Sequence, residues 1–386
     1  MRKITLNPTL FTENETPSEN AIKSYFIQLC DKFGNFIPKG NYQFEGMELE
    51  LTHSILKRAR MSNGKQLRYE VLEDKQFDSG SYAEVYFSLG VLVPEKALAF
   101  KVKPIGKERV CKKIPFKNIQ TGNSSTLSEI SKEGSYTLMN KKLHAKVPVF
   151  SDNAGYIVMR RFKAGFLFDL INQIRAGQFI ITLKSRLELT CSLVKALKEQ
   201  IEDNGLIHRD IKVENIVLDI NSYELIIIDY GFTIKRDEKD FVRSVGSPLY
   251  AAPEVWLNKD EVPLKSDVYS LGMILSILWG DSSALLIEQQ DEIPFYHLRE
   301  RQFIGLFDDI AIDNSTKAEV TGILKGFLNI EPSKRLGLQE ALSRLEKLIV
   351  LQDTLAPDLK PDSNKELIIN ENLRVTTNTS AIFNSI

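Results

Sequence analysis

The chain has 386 residues, 43% of them hydrophobic and 26% charged, with a formal net charge of −1. That composition fits a soluble globular protein large enough for one large domain with appendages or for two lobes, and the near-zero charge gives no global pull toward nucleic acid or anionic membrane. Three separated cysteines (Cys30, Cys111, Cys191) argue against a disulfide framework or zinc site and for a reducing compartment.

The N-terminus has basic residues without an apolar core behind them, so no cleaved signal peptide is expected. Residues 1–66 mix polar, Gly and Pro positions with short apolar pieces, as in a partly helical extension. From Leu67 to Val102, short apolar alternations broken by Gly and Pro predict paired strands. Residues 103–123 read as a loop rich in basic side chains (Lys103, Lys107, Arg109, Lys112, Lys113, Lys117), either solvated or able to meet an acidic partner. Residues 124–143 read as a helix and Val147–Phe162 as two strands.

After Gly165 helical spacing dominates, at Phe166–Ile174, Leu183–Asp203, Leu264–Trp279, Lys317–Leu328 and Leu338–Leu351. Short strands are predicted at Ile216–Asp219 and Glu224–Ile228. Val268 to Gly280 is the most apolar stretch and is shorter than the roughly 18–20 residues that span a bilayer. It predicts a buried helix, and no transmembrane segment is expected. Residues 351–386 form a polar tail.

The strongest motif is Leu206-Ile-His-Arg-Asp-Ile-Lys-Val-Glu-Asn215, followed by Ile226-Ile-Ile-Asp-Tyr-Gly231. Here the chain resembles the eukaryotic-type serine/threonine protein kinases. The resemblance implies an α+β, bilobal fold over residues 67–350, with a strand-rich lobe at 67–162 and a helix-rich lobe at 163–350. It also implies ATP in the cleft between lobes, Mg²⁺, and a protein Ser or Thr hydroxyl as acceptor. The divergent nucleotide loop and unfamiliar flanks look more like an exported effector kinase, acting in a host cytosol, than a housekeeping one.

Phosphoryl transfer asks a protein for positioning and charge neutralisation more than for covalent chemistry. By the resemblance, Asp210 orients the attacking hydroxyl, Lys212 reaches the transferring phosphate, and Asn215 and Asp229 hold Mg²⁺ through hard oxygen donors. His208 and Tyr230 pack. Phe77-Asp-Ser-Gly-Ser-Tyr-Ala-Glu-Val-Tyr86 aligns with the Gly-rich loop, where Gly80 and Ser81 would approach the phosphates. Asp78 and Ala83 occupy the other glycine positions. Ala99-Phe-Lys101 matches the strand whose lysine contacts the α- and β-phosphates, with Lys103 as rival. Val85, Ala99 and Val217 would sandwich the adenine, Met159 would be the gatekeeper, and the backbone of Arg160 and Phe162 would meet the adenine edge.

The lysine's partner would be Glu133, with Glu129 as the alternative, although the Lys101–Glu133 separation of 32 residues is long for the family. Gly246-Ser-Pro-Leu-Tyr-Ala-Ala-Pro-Glu254 resembles the substrate loop of serine/threonine kinases, with Ser247 orienting Asp210 and Lys212. Glu254 should pair with Arg335, and Asp267 should hold the backbone at His208 and Arg209. Ser244 is the preferred phosphosite for Arg209 to clamp, with Asp237, Glu238 and Asp240 as acidic substitutes. Two other readings stay open: a pseudokinase scaffold, and a kinase-fold enzyme acting on a small molecule.

Overall fold

The computed structural model describes residues 2–6, 28–29, 31–44, 47–59, 67–79, 83–94, 100–103, 108–117, 122–162, 164–219, 224–238, 245–256, 265–283 and 302–355. The chain divides into two compact units, Met1–Phe162 and Lys163–Ile386.

The first unit is built on sheets. Its strands are β1 (Arg2–Leu6), β2 (Phe36–Ile37), β3 (Gly40–Phe44), β4 (Met47–Leu51), β5 (Ile55–Ala59), β6 (Leu67–Ser79), β7 (Glu84–Pro94), β8 (Phe100–Lys103), β9 (Arg109–Pro115), β10 (Val149–Phe150) and β11 (Ala154–Arg160). The main sheet runs β10-β11-β9-β7-β6-β5-β2, and β8 pairs with β7 outside that path. Strand β7 is shared along its length: Glu84–Ser88 pairs with β9, whereas Val91–Pro94 pairs with β8.

Two expectations are revised here. The described residues preceding Leu67 are largely strand. Met47–Leu51 alternates apolar and acidic residues, which is the two-residue period of a strand, and β5 pairs with β6 from Ile55↔Val71 to Ala59↔Leu67. Phe36 stacks on Tyr156 of β11 with ring centroids 4.9 Å apart. Strands β2 and β5 therefore belong to the same sheet as β6, β3 and β4 form a second sheet with β1, and among the described residues the helical reading survives only locally, as at residues 31–33.

The expected loop at 103–123 contains β9. Its basic side chains hid the strand because each is neutralised by a partner far away in sequence. Arg109 bonds Glu70 at 2.5 Å, Lys112 bonds Glu133 at 2.6 Å and Lys113 bonds Glu84 at 2.9 Å. Between them, Cys111 packs with Leu56, Leu72 and Tyr156 in one core, and Ile114 packs with Ile130 and Ile157 in another.

Helix α1 (Leu127–Met139) begins with a reciprocal capping box: Thr126 Oγ1 accepts from Glu129 N–H, and the Glu129 carboxylate accepts from Thr126 N–H at 2.7 Å. Gly134 lets the helix approach Pro148, since a Cβ there would lie 2.0 Å from Pro148 Cγ.

The second unit is mainly helical: α2 (Leu167–Arg175), α3 (Leu183–Gln200), α4 (Pro253–Trp256), α5 (Ser266–Leu278), α6 (Asn314–Phe327) and α7 (Leu338–Leu355). Every residue of α5 is buried, which explains a helix that is apolar all round. Strands β12 (Ala164–Phe166), β14 (Ile216–Asp219) and β15 (Glu224–Ile227) form one small sheet, and β13 (Leu206–Ile207) pairs with β16 (Ile234–Lys235). These hairpins project the loops that carry the predicted chemistry.

Candidate active site

In the first unit the charged pair is Lys112 with Glu133, at 2.6 Å and with side chains 14% and 10% exposed. Lys112 lies on β9 directly opposite Val85 of β7. Lys101 sits instead on β8, opposite Val93. Val93 is eight residues along β7 from Val85, roughly 26 Å at strand rise. The Lys101–Glu133 pairing is thus replaced by Lys112–Glu133, and the 32-residue separation shrinks to 21. The extra residues behind the long spacing precede the lysine strand, where β7 continues past Ser88 and pairs with β8 over Val91–Pro94. Glu129 is committed to the α1 cap, which leaves Glu133, about one-tenth of a helix turn beyond one full turn, on the face toward β9.

The residue two before Lys112 is Val110, and in the β9–β11 register it faces Met159. Val110 thereby takes the place expected for Ala99, which lies outside the described residues, as do Gly80 and Ser81. Met159, Arg160 and Phe162 end the unit in half-buried positions, and the Arg160 guanidinium lies 4.8 Å from the Phe162 ring centroid. Lys112 and Val110 were missed because their neighbours' charges mask the strand; the anomalous spacing to Glu133 was the available signal.

The second unit assembles Asp210, Lys212, Asn215 and Ser247. Asp210 is 8% exposed, and donors hold both of its oxygens. Oδ1 accepts from Ser247 N–H and Ser247 Oγ, each at 2.9 Å. Oδ2 accepts from Asn215 Nδ2 at 3.0 Å and lies 3.5 Å from Lys212 Nζ. Such bonds lock the carboxylate's orientation while leaving acceptor capacity for a further hydroxyl.

Two non-glycine residues here adopt left-handed backbone: Arg209 at φ +67° and Asp229 at φ +64°. Such conformations persist where the surroundings over-determine them. At Arg209 they do: Asp267, buried in α5, accepts from His208 N–H at 2.6 Å and from Arg209 N–H at 2.9 Å. Burial pushes the Asp267 carboxyl above its usual range, against the pull of His208 and those two N–H donors. The His208 ring is fully buried, edge-on to Tyr230 at 5.2 Å, with Nε2 3.2 Å from the Ile228 carbonyl. Its place is in packing. Gly246, at φ +101°, passes the same turn so closely that a Cβ would meet the Arg209 carbonyl at 2.3 Å.

Arg209 Nε donates to the Phe232 carbonyl at 2.5 Å. Ser244 lies outside the described residues. Glu254 and Arg335 form a two-point buried pair, 2.6 Å on each side. Val217 is buried in β14.

For a metal, the donor set fits Mg²⁺. Asn215 spends its amide nitrogen on the Asp210 carbonyl and carboxylate, which leaves its oxygen as the ligand atom. Asp229 adds an exposed carboxylate. Among the described residues no group of three or more His, Cys, Asp or Glu gathers as a metal site. An amide and a carboxylate are what Mg²⁺ takes when phosphates and water supply the rest.

A protein kinase domain model matches residues 80–345, and the chain belongs to that family. Among similar proteins, a serine/threonine-protein kinase of Caenorhabditis elegans, kin-29, is 30% identical over 193 residues, covering 50% of this chain and 22% of its own. CBL-interacting protein kinase 11 of Oryza sativa is 27% identical over 290 residues, 72% of this chain and 51% of its own. Serine/threonine-protein kinase 33 of Bos taurus is 23% identical over 282 residues, 69% and 56%. The chain thus spans between about a fifth and just over half the length of these relatives. No helix among the described residues is long and apolar enough to cross a membrane.

Proposed function

We propose that this chain is a serine/threonine protein kinase using ATP and Mg²⁺. The observation that carries the proposal is the Asp210 carboxylate, buried and oriented by Ser247, Asn215 and Lys212 at once. Asp210 accepts the hydrogen bond of the acceptor hydroxyl and aligns it for in-line attack. Lys212, a flexible cation beside that carboxylate, neutralises charge on the phosphoryl oxygens as they part from the nucleotide. Lys112, fixed by Glu133, contacts the α- and β-phosphates in place of Lys101. Asn215 and Asp229 would hold Mg²⁺, which when bound would supply positive charge against the phosphates. Within the first unit, Val85 and Val110 would take the adenine beside Met159, with the backbone of Arg160 and Phe162 at its edge.

Ser247 binds Asp210 through both its backbone and its hydroxyl, which fits a substrate loop that admits a short Ser or Thr side chain. A small-molecule acceptor would have no use for that loop, and a pseudokinase would not keep Asp210, Asn215, Asp229 and a paired lysine together. Work in a reducing compartment is part of the same proposal, supported by the free thiols Cys111 and Cys191.

The test is incubation of the purified chain with labelled Mg-ATP and a generic basic protein, followed by phosphoamino-acid analysis. Phosphoserine or phosphothreonine is expected. Predominant phosphotyrosine refutes the acceptor assignment, and no transfer at all supports the scaffold reading.

A further inference from the structure

Strand β15 is the edge of its sheet, with β14 on one side. The outward backbone groups of an edge strand need partners, and when buried they cannot take them from water. Gln200, the last residue of α3 and only 3% exposed, meets two of them. Its Nε2 donates to the Leu225 carbonyl at 2.8 Å and its Oε1 accepts from Ile227 N–H at 2.9 Å. The primary amide thus pairs with residues i and i+2 of the strand as a neighbouring strand's backbone would. One residue further on, Ile228 N–H donates to the Asn215 carbonyl at 2.9 Å. The next residue is Asp229, in its left-handed conformation.

We propose that Gln200 is a positioning residue for the metal site: its amide fixes the end of β15, and through it the Asp229 carboxylate. The inference rests on the reading of Asp229 and Asn215 as Mg²⁺ ligands. An apolar helix residue would fill the same space, so the choice of a primary amide is explained by the two strand groups it satisfies. A strand end released at Ile227 would lose one of the bonds that hold the left-handed turn, beside the Ile228–Asn215 bond and the His208 contact to the Ile228 carbonyl. The carboxylate would then sample orientations that Mg²⁺ cannot use, because its octahedral geometry tolerates little misplacement.

The test uses the full chain saturated with a non-hydrolysable ATP analogue, with Mg²⁺ titrated by calorimetry, alongside thermal melts and phosphotransfer assays. Gln200→Leu should weaken Mg²⁺ binding about tenfold, the usual scale for groups that orient a ligand, while analogue affinity without metal is unchanged. Gln200→Glu, which keeps the acceptor for Ile227 and loses the donor, should fall between it and the wild type. Equal Mg²⁺ affinity in folded Gln200→Leu overturns the inference, even if its melting temperature drops. Should that variant fail to fold, unchanged Mg²⁺ affinity in Gln200→Glu overturns it on the same criterion. A wild-type chain that neither binds Mg²⁺ with the analogue nor transfers phosphate overturns the functional reading, and this inference with it.

Discussion

Replacing Lys112 by Met keeps most of the side chain's bulk and removes its charge. The ammonium lies 2.6 Å from Glu133 Oε1, with both side chains largely withdrawn from solvent. A hydrogen bond to a charged group in such a setting contributes about 1.5–3 kcal/mol. At 2–4 °C per kcal/mol for a domain of this size, the thermal midpoint should fall by roughly 3–12 °C. The catalytic loss should be larger, on the order of 10²–10³ in turnover, the scale for deleting one preorganised charge-stabilising donor. Lys101→Met is the control. Lys101 stands opposite Val93, remote from the Val85 end of β7, so transfer and midpoint should stay close to wild type. Initial rates of labelled phosphate transfer, with melting curves on the same preparations, decide the matter. An inactive Lys101→Met beside an active Lys112→Met would refute the assignment and the strand register behind it.

Asp210→Asn should lower turnover by a factor on the order of 10²–10⁴ while nucleotide affinity persists, as measured by fluorescent-nucleotide titration; wild-type turnover would exclude Asp210 from the chemistry. Glu254→Gln breaks a buried two-point pair with Arg335 and should cost about 3–5 kcal/mol, visible as a lower urea midpoint; an unchanged midpoint would mean the surroundings absorb the Arg335 charge. For Asp309, the bond from Arg186 holds the carboxyl below its usual range. A depressed folded value means the stabilisation is present above the ordinary carboxylate range and lost as pH falls through the folded value. The stability gap between wild type and Asp309→Asn should therefore be full near neutrality and close in acid, and a gap independent of pH would show that the pair contributes no charge-linked stability.

The catalytic loops were legible in the sequence because their chemistry is local. Asp210, Lys212 and Asn215 lie within six residues, and the hydrogen bonds joining them follow from that spacing. Asp229 and Ser247 come from later loops, yet their motifs are short and contiguous. The helix boundaries of α2, α3 and α7 were close because each has an apolar period or a capping residue such as Thr182 at its start, and those of α5 because its apolar run stands out from its neighbours. Strand β9 was not legible. Three of its seven residues are cationic, and a charge run reads as solvated unless its counter-charges are visible.

Sequence alone determined that a carboxylate, a lysine and an amide would share one turn, since covalent connectivity keeps neighbours together whatever the rest of the chain does. It also determined that a glutamate on α1 would take a lysine. Which lysine took it was decided by tertiary structure. Glu70, Glu84 and Glu133 each neutralise one cation of β9 from 39, 29 and 21 residues away. Only strand pairing brings those charges within a few ångströms, where burial makes the attraction strong enough to fix the register.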